Sequence, residues 1–344
     1  MVVVRKKAIR VVHHRSNTKR DTYVNLWKEF LVFHSSFNNR AKRLTLPKDH
    51  QKTNIGMNVS TVFPEGHVRN GQKIQREKSL APKEEEEEEE EYHLKEQCLR
   101  VKEFIGVEEV AKLEFLVSLF AEALGTFLLV LIGCASCITW VEGQAPSVLH
   151  IAFTFGLAVA ALAQFLGPIS GCHVNPAVTI GLFVSGNCSL LKSLCYIVCQ
   201  SCGAIAGAVV LKLITPNEQV SQGLGATDLG KGVEAGQGIV MEAIITFLLV
   251  LVVHAVTDPK RSDTKGWAPL AIGLAISVSH MAAIPFTGSS MNPARSLGPA
   301  VILTSWSNHW VYWVGPIVGA VIAGSLYKMG FRNTKEIEEA SYDF

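Results

Sequence analysis

The sequence predicts an all-α membrane protein, with six transmembrane helices and two re-entrant half-helices arranged as an inverted repeat. Three observations carry this reading. Apolar runs of membrane length recur from about residue 115 onward. The second half of that region repeats the first. The tripeptide Asn-Pro-Ala occurs twice, as Asn175-Pro176-Ala177 and Asn292-Pro293-Ala294.

Taken in order, the chain opens on a polar third. Residues 1–111 are rich in Lys, Arg, His, Asn and Glu and show no sustained hydrophobic period. Glu84 to Glu91 is an unbroken acidic run, and like charges in such a block repel and resist packing. A disordered cytoplasmic tail with no core is expected here, its partners open. The apolar start Val2 to Val4 is too brief for a signal-peptide core. Met57 is a candidate internal start, and His13-His14 reads as solvated rather than metal-binding.

The apolar runs follow at about 116–140, 148–166, 190–213, 239–257, 267–286 and 309–328. About 20 apolar residues are needed to cross a bilayer core, so each run is a candidate span. Glycine inside them fits close helix packing in lipid. Glu122-Ala123 and Thr126 to Leu131 recur as Glu242-Ala243 and Thr246 to Leu251. Gly156-Leu157-Ala158 recurs as Gly273-Leu274-Ala275, and Tyr196 with Gly203-Ala204 as Tyr312 with Gly319-Ala320. Repeat one covers about 112–214 and repeat two about 238–330; residues 331–344 form a C-terminal tail. Three spans per repeat is an odd number, so the repeats enter the membrane from opposite sides. A functional site is then expected near the midplane, where they meet.

Asn is a favoured helix N-cap, and Pro suits the first helical position. One Asn-Pro-Ala box alone reads as an ordinary capped helix. Here each box opens an apolar run of about ten to twelve residues, too short to span, which reads as a re-entrant half-helix. Lys260, Arg261 and Lys265 lie in one loop, Arg100, Lys102 and Lys112 precede the first span, and Lys328, Arg332 and Lys335 follow the last. The loop Val141 to Ser147 has no Lys or Arg. Basic loops stay inside, so both termini are expected in the cytoplasm.

No P-loop, nucleotide fingerprint or catalytic constellation is present, so neither an enzyme nor a nucleic-acid partner is expected. No cofactor or metal is expected either. Cys195, Cys199 and Cys202 crowd one span but read as small buried residues. Asn187-Cys188-Ser189 and Asn58-Val59-Ser60 match the glycosylation pattern, but both are expected on the cytoplasmic side and unused.

Two boxes, six spans and an inverted repeat together resemble the major intrinsic protein family, over about residues 112–330. The stretch Asn292-Pro293-Ala294-Arg295-Ser296-Leu297-Gly298-Pro299-Ala300 resembles its water-selective aquaporin branch. Glycerol-conducting members typically carry Asp at the place of Ser296 and a basic residue near Ala300, and lack the pair Tyr312-Trp313. The resemblance implies an aquaporin-like fold, usually a homotetramer in a lipid bilayer, with water as permeant and one pore per protomer. It implies a passive channel, in the plasma membrane. A broader pore also passing glycerol, urea or peroxide stays open. So does an adhesion or scaffold protein with weak conductance.

By the same resemblance, Asn175 and Asn292 present amide donors to water at the midplane. Phe155, His280, Ser289 and Arg295 form an outer constriction. Backbone carbonyls over Gly171, Cys172 and His173, and over Gly288, Ser289 and Ser290, form an acceptor ladder. Glu122 and Glu242 accept hydrogen bonds from the re-entrant loops. Ser289 stands where many family members carry a mercury-reactive Cys, which leaves Cys172 as the expected mercurial target.

Overall fold

The computed structural model describes Tyr92 and residues 95–141, 143–261 and 266–332. The expectations for His13, His14, Met57, Asn58 and the Glu84–Glu91 run lie outside the described residues, as does nearly all of the C-terminal tail. Among the described residues, eight main helices follow one another. They are α1 (Leu113–Ala135), α2 (Val148–Ser170), α3 (Pro176–Ser185), α4 (Leu190–Ile214), α5 (Ala235–Thr257), α6 (Ala268–Thr287), α7 (Pro293–Leu303) and α8 (Val311–Leu326). The last runs on as a π turn, Tyr327–Phe331. All but α3 and α7 are long and apolar enough to cross a membrane, α8 together with its π turn.

The bounds differ most from the expected runs at the ends of α1 and α2 and at the start of α5, which begins at Ala235 rather than about 239. α1 ends at Ala135, short of the apolar run's end. There the Ser136 hydroxyl donates to the Gly133 carbonyl at 2.6 Å and the Cys137 amide to the Cys134 carbonyl at 3.0 Å, closing the helix with a tighter turn. α2 continues to Ser170, through Pro168; α6 likewise carries Pro285 near its end. Residues 95–105, inside the segment expected to be structureless, are helical, and Val107–Val110 adds one turn. Phe104 there meets Phe183 at 5.5 Å, and Glu109 takes hydrogen bonds from Lys192 Nζ at 2.7 Å and Ser189 Oγ at 2.8 Å.

Lipid is as apolar as leucine, so close packing rather than the hydrophobic effect holds such helices together. Within the repeats, α1 packs on α4 and α5 on α8. Between the repeats, α2 packs on α6. Gly156 and Gly273 make that crossing. A Cβ on Gly156 would strike the Ser277 hydroxyl and the Gly273 carbonyl, and one on Gly273 would meet the Gly156 carbonyl. Each half-helix packs on the final span of the other repeat, α3 on α8 and α7 on α4. These three packings are the main ties across the repeat boundary.

Six spans bring the start of α1 and the end of α8 to one face, the near face; the loops after α1, α4 and α7 lie at the far face. Trp140, Trp306 and Trp310 at far-face ends and Trp267 at the near face are all exposed, where indole rings suit a membrane–water boundary. α3 runs from the midplane to the near face and α7 from the midplane to the far face.

Candidate functional site

Both half-helices are capped by their own box. Asn175 Oδ1 accepts the Ala177 amide at 2.8 Å; Asn292 Oδ1 accepts those of Ala294 at 3.1 Å and Arg295 at 3.2 Å. The side-chain nitrogens reach across the repeat boundary. Asn175 Nδ2 donates to the Met291 carbonyl at 2.9 Å, and Asn292 Nδ2 to the Val174 carbonyl at 2.8 Å. A carboxamide has two N–H donors, so one remains on each Asn beyond the cross-brace. Both residues border a single cavity. Each helix start carries roughly half a positive charge, so two meeting at the midplane oppose a cation.

The loops that deliver the boxes have matching, unusual backbones. Gly171 and Gly288 are left-handed, at φ 88° and 72°. So are Cys172 (50°) and Ser289 (53°), and again Val174 (42°) and Met291 (53°). A β-branched valine in this region is strained and must be held by its surroundings. Two buried carboxylates supply the hold. Glu122 Oε1 accepts Ser170 Oγ at 2.6 Å and the His173 amide at 2.9 Å, while Oε2 accepts the Val174 amide at 2.7 Å and Gln200 Nε2 at 2.8 Å. Glu242 repeats this with Thr287 Oγ1 at 2.6 Å and the amides of Ser290 and Met291, each at 2.8 Å. The hydroxyls of Tyr196 and Tyr312 then bind the carbonyls of Ser170 at 2.8 Å and Thr287 at 3.0 Å.

At its far-face end the cavity is lined by three side chains, Phe155, His280 and Arg295. The Phe155 and His280 rings stack at 4.7 Å, and the Arg295 guanidinium lies 4.9 Å from the Phe155 ring centre. Arg295 is 3 % exposed and His280 2 %. Arg295 Nη1 donates to the Gly225 carbonyl at 2.7 Å, and His280 Nδ1 donates to Ile276 at 3.0 Å, because a carbonyl only accepts. His280 Nε2, Arg295 Nε and Ser289 Oγ are buried with no protein partner. Polar atoms are rarely left so in a packed interior unless something else meets them. From this ring a cavity of about 370 Å³ continues past both boxes to Leu182, Asn187, Thr257 and Pro259 at the near face. Gly171, Cys172, His173 and Ser290 form part of its wall; Gly288 and Ser289 do not.

The family model for the major intrinsic proteins matches residues 109–327. The chain belongs to the major intrinsic protein family. It is 45 % identical to aquaporin-4 of Mus musculus over 237 residues, 68 % of this chain and 73 % of that one. It is 46 % identical to aquaporin-5 of Sus scrofa over 221 residues, 64 % and 83 % of the two chains. Among solved structures, the aquaglyceroporin of Plasmodium falciparum superposes with a TM-score of 0.57 at 26 % identity, covering 63 % of this chain and 97 % of that one.

Within this major intrinsic protein, several residues at the site have no signal in the sequence. Gly225 holds Arg295 through a backbone carbonyl, which any residue type carries. Its φ of 68° and the crowding of its α-carbon by Cys134 are what make it glycine. Gln200 binds both Glu122 and Thr179, the latter at 3.0 Å. Its match in the other repeat is Pro316, so repeat identity does not point to it. Ser296 bonds Ser290 at 2.6 Å and Thr227 at 2.8 Å, bracing the second loop.

Proposed function

We propose that this chain is a passive channel that conducts water down osmotic gradients and excludes ions, with no enzymatic step. One observation carries the reading. The far-face end of the cavity is lined by Phe155, His280 and Arg295, and His280 Nε2 and Arg295 Nε there are buried with no protein partner. A water molecule entering there loses its neighbours and is offered replacement hydrogen bonds. A cation meets the Arg295 charge and then two helix N-termini. At the midplane, the spare N–H of Asn175 and Asn292 holds a water oxygen, so that this water donates outward in both directions and breaks a proton wire. The names of the related aquaporin-4 and aquaporin-5 agree with this activity.

The structural neighbour described as an aquaglyceroporin favours a second reading, a pore that also passes glycerol. Two rings stacked at 4.7 Å with a guanidinium against one of them leave little width for a three-carbon polyol. The narrow reading is therefore preferred. In it, Ser289 flanks the constriction beside the second box without lining the cavity wall. The carbonyls of the strained loops accept hydrogen bonds from the water file.

The reading includes a membrane setting. The basic segments at the near face support a cytoplasmic setting for that face and for both termini. Residues 112–330 act as the channel domain and residues 1–111 as an appended tail. A plasma-membrane homotetramer follows the family habit. Exposed apolar side chains such as Phe120, Leu157, Val198 and Ile244 suit lipid and neighbouring protomers.

The test is osmotic swelling of proteoliposomes carrying the full chain. Fast swelling in a water gradient without uptake of isosmotic glycerol is expected. Glycerol uptake would transfer the case to the wider pore, and inserted protein without water flux would overturn the channel reading.

A further inference from the structure

His254 has no part in the constriction or the boxes, yet it is buried at 1 % exposure near the end of α5. An apolar residue would pack there without the cost of carrying a titratable ring into a membrane. Its neighbours in sequence, Val253 and Thr257, line the near-face end of the cavity. Its ring contacts lead to the half-helix. Nδ1 lies 2.7 Å from the Val250 carbonyl and Nε2 2.9 Å from Ser185 Oγ. Ser185 is the last residue of α3, and its Oγ is also 2.9 Å from the carbonyl of Leu182, another residue of the cavity wall.

The proton positions follow from these distances. A carbonyl only accepts, so Nδ1 carries a hydrogen in every state. With a neutral ring, Nε2 accepts the Ser185 hydroxyl. The Leu182 carbonyl is still bonded, by the amides of Gly186 and Asn187. With a charged ring, Nε2 donates to Ser185 Oγ, and the hydroxyl turns to Leu182. Each state has every partner it needs, so the pair is built to hold or release one proton.

We propose that His254 is a positioning residue for the pore, which through Ser185 sets where the first half-helix ends, and that a proton taken up there narrows the near-face mouth. The proposal rests on the water-channel reading and adds a control to it. A charged ring stands at the C-terminal, negative end of the α3 dipole. It draws the α3 carbonyls toward α5, and so brings Leu182 toward Val253 and Thr257 across the mouth.

The surrounding charges permit this. On its own helix His254 is followed by Asp258. From the π turn after α8 it faces Tyr327, whose ring is 5.2 Å away and whose hydroxyl donates to Asp258 Oδ2 at 2.7 Å. Lys328 Nζ lies 3.4 Å from the Val184 carbonyl and brings a like charge to the α3 end. Arg332, Lys260 and Arg261 surround Asp258 and Tyr327. α3 and the near-face half of α6 bring no ionisable side chain. Burial would raise the Asp258 carboxyl, but the Lys260 amide and the Tyr327 hydroxyl hold it below its usual range, so an anion stays near the ring. The other repeat has no such pair. The matching positions are Cys134 and Ile302.

The experiment measures water flux in proteoliposomes with both sides buffered at pH about 7.5 or about 5.5. The chains are the full-length protein, His254→Gln and Ser185→Ala, each checked for insertion. Flux of the unchanged chain is expected to fall about twofold or more in acid, while both variants conduct with no such change. An unchanged chain that conducts equally at both pH values overturns the proposal. So does an acid response that survives in both variants, which would belong to His173 or His280. Variants that lose flux equally at both pH values with the response intact would make His254 structural only. Absence of flux at neutral pH in the unchanged chain would instead refute the channel reading itself.

Discussion

Asn175 and Asn292 brace one another's loops: the first donates to the carbonyl just before the second box, the second to the carbonyl just before the first. The two loops are therefore tied together at the midplane by two reciprocal bonds. Asn292→Asp keeps the cap oxygen but replaces a donor by an acceptor against the Val174 carbonyl. A buried group left unpaired costs about 1–3 kcal/mol. Water flux per inserted channel is expected to drop steeply, and Asn175→Asp to do the same. Undiminished flux in either variant would mean that the cross-brace is dispensable.

The two loop-holding carboxylates are not equal. Glu122 accepts four hydrogen bonds and Glu242 three, the difference being Gln200. A Gln at either place turns one acceptor oxygen into a donor facing a donor. Glu122→Gln is expected to destabilise the protein by about 1–3 kcal/mol and Glu242→Gln by somewhat less. Thermal unfolding in detergent checks the order; a larger loss from Glu242→Gln would reverse the assignment.

These residues also show what the sequence can and cannot reveal. The spans, the boxes and the lone acids Glu122 and Glu242 are legible because their signals are local: a long apolar run, a cap followed by proline, a charge where none belongs. The repeat is legible because Thr126 to Leu131 recurs letter for letter as Thr246 to Leu251. The left-handed Val174, the carbonyl of Gly225 and the His254–Ser185 pair are not. Each depends on chain segments brought together by the fold, and no residue type marks them in advance. The helix at 95–105 was hidden differently, since its fixed point is a pair of aromatic rings, Phe104 and Phe183, on segments far apart in sequence.

The segment before α1 is held at the near face by Glu109. Partial burial pushes its carboxyl up, but Lys192 and Ser189 outweigh that and hold it below the usual range of glutamate. A depressed carboxyl stabilises the docked state above its unfolded value of about 4.3, and the gain is lost as pH falls through the lower folded value. The pair is partly exposed and worth no more than about 1 kcal/mol. A nitroxide on Cys98, in a chain with Cys202 replaced by Ser, is expected to stay restrained at neutral pH and loosen only below about pH 4. Glu109→Gln is expected to be loose already at neutral pH. A label equally restrained in both chains would assign the docking to Phe104 and Phe183 alone.

Cys172 offers a chemical probe of the pore from within. It forms part of the cavity wall, one turn of strained loop before Asn175, and its amide is tied to Ser170 Oγ at 3.0 Å. Ser289, at the matching place in the other loop, has no thiol to offer. A mercurial reaching the Cys172 sulfur would sit in the path between the boxes and the near face. Block of water flux by a small mercurial, reversed by added thiol, is therefore expected, and is expected to vanish in Cys172→Ser. Cys188, Cys195, Cys199 and Cys202 lie away from the cavity wall, as do Cys134 and Cys137. Persistent block in Cys172→Ser would place the sensitive sulfur on one of them, acting through the helices rather than by filling the pore.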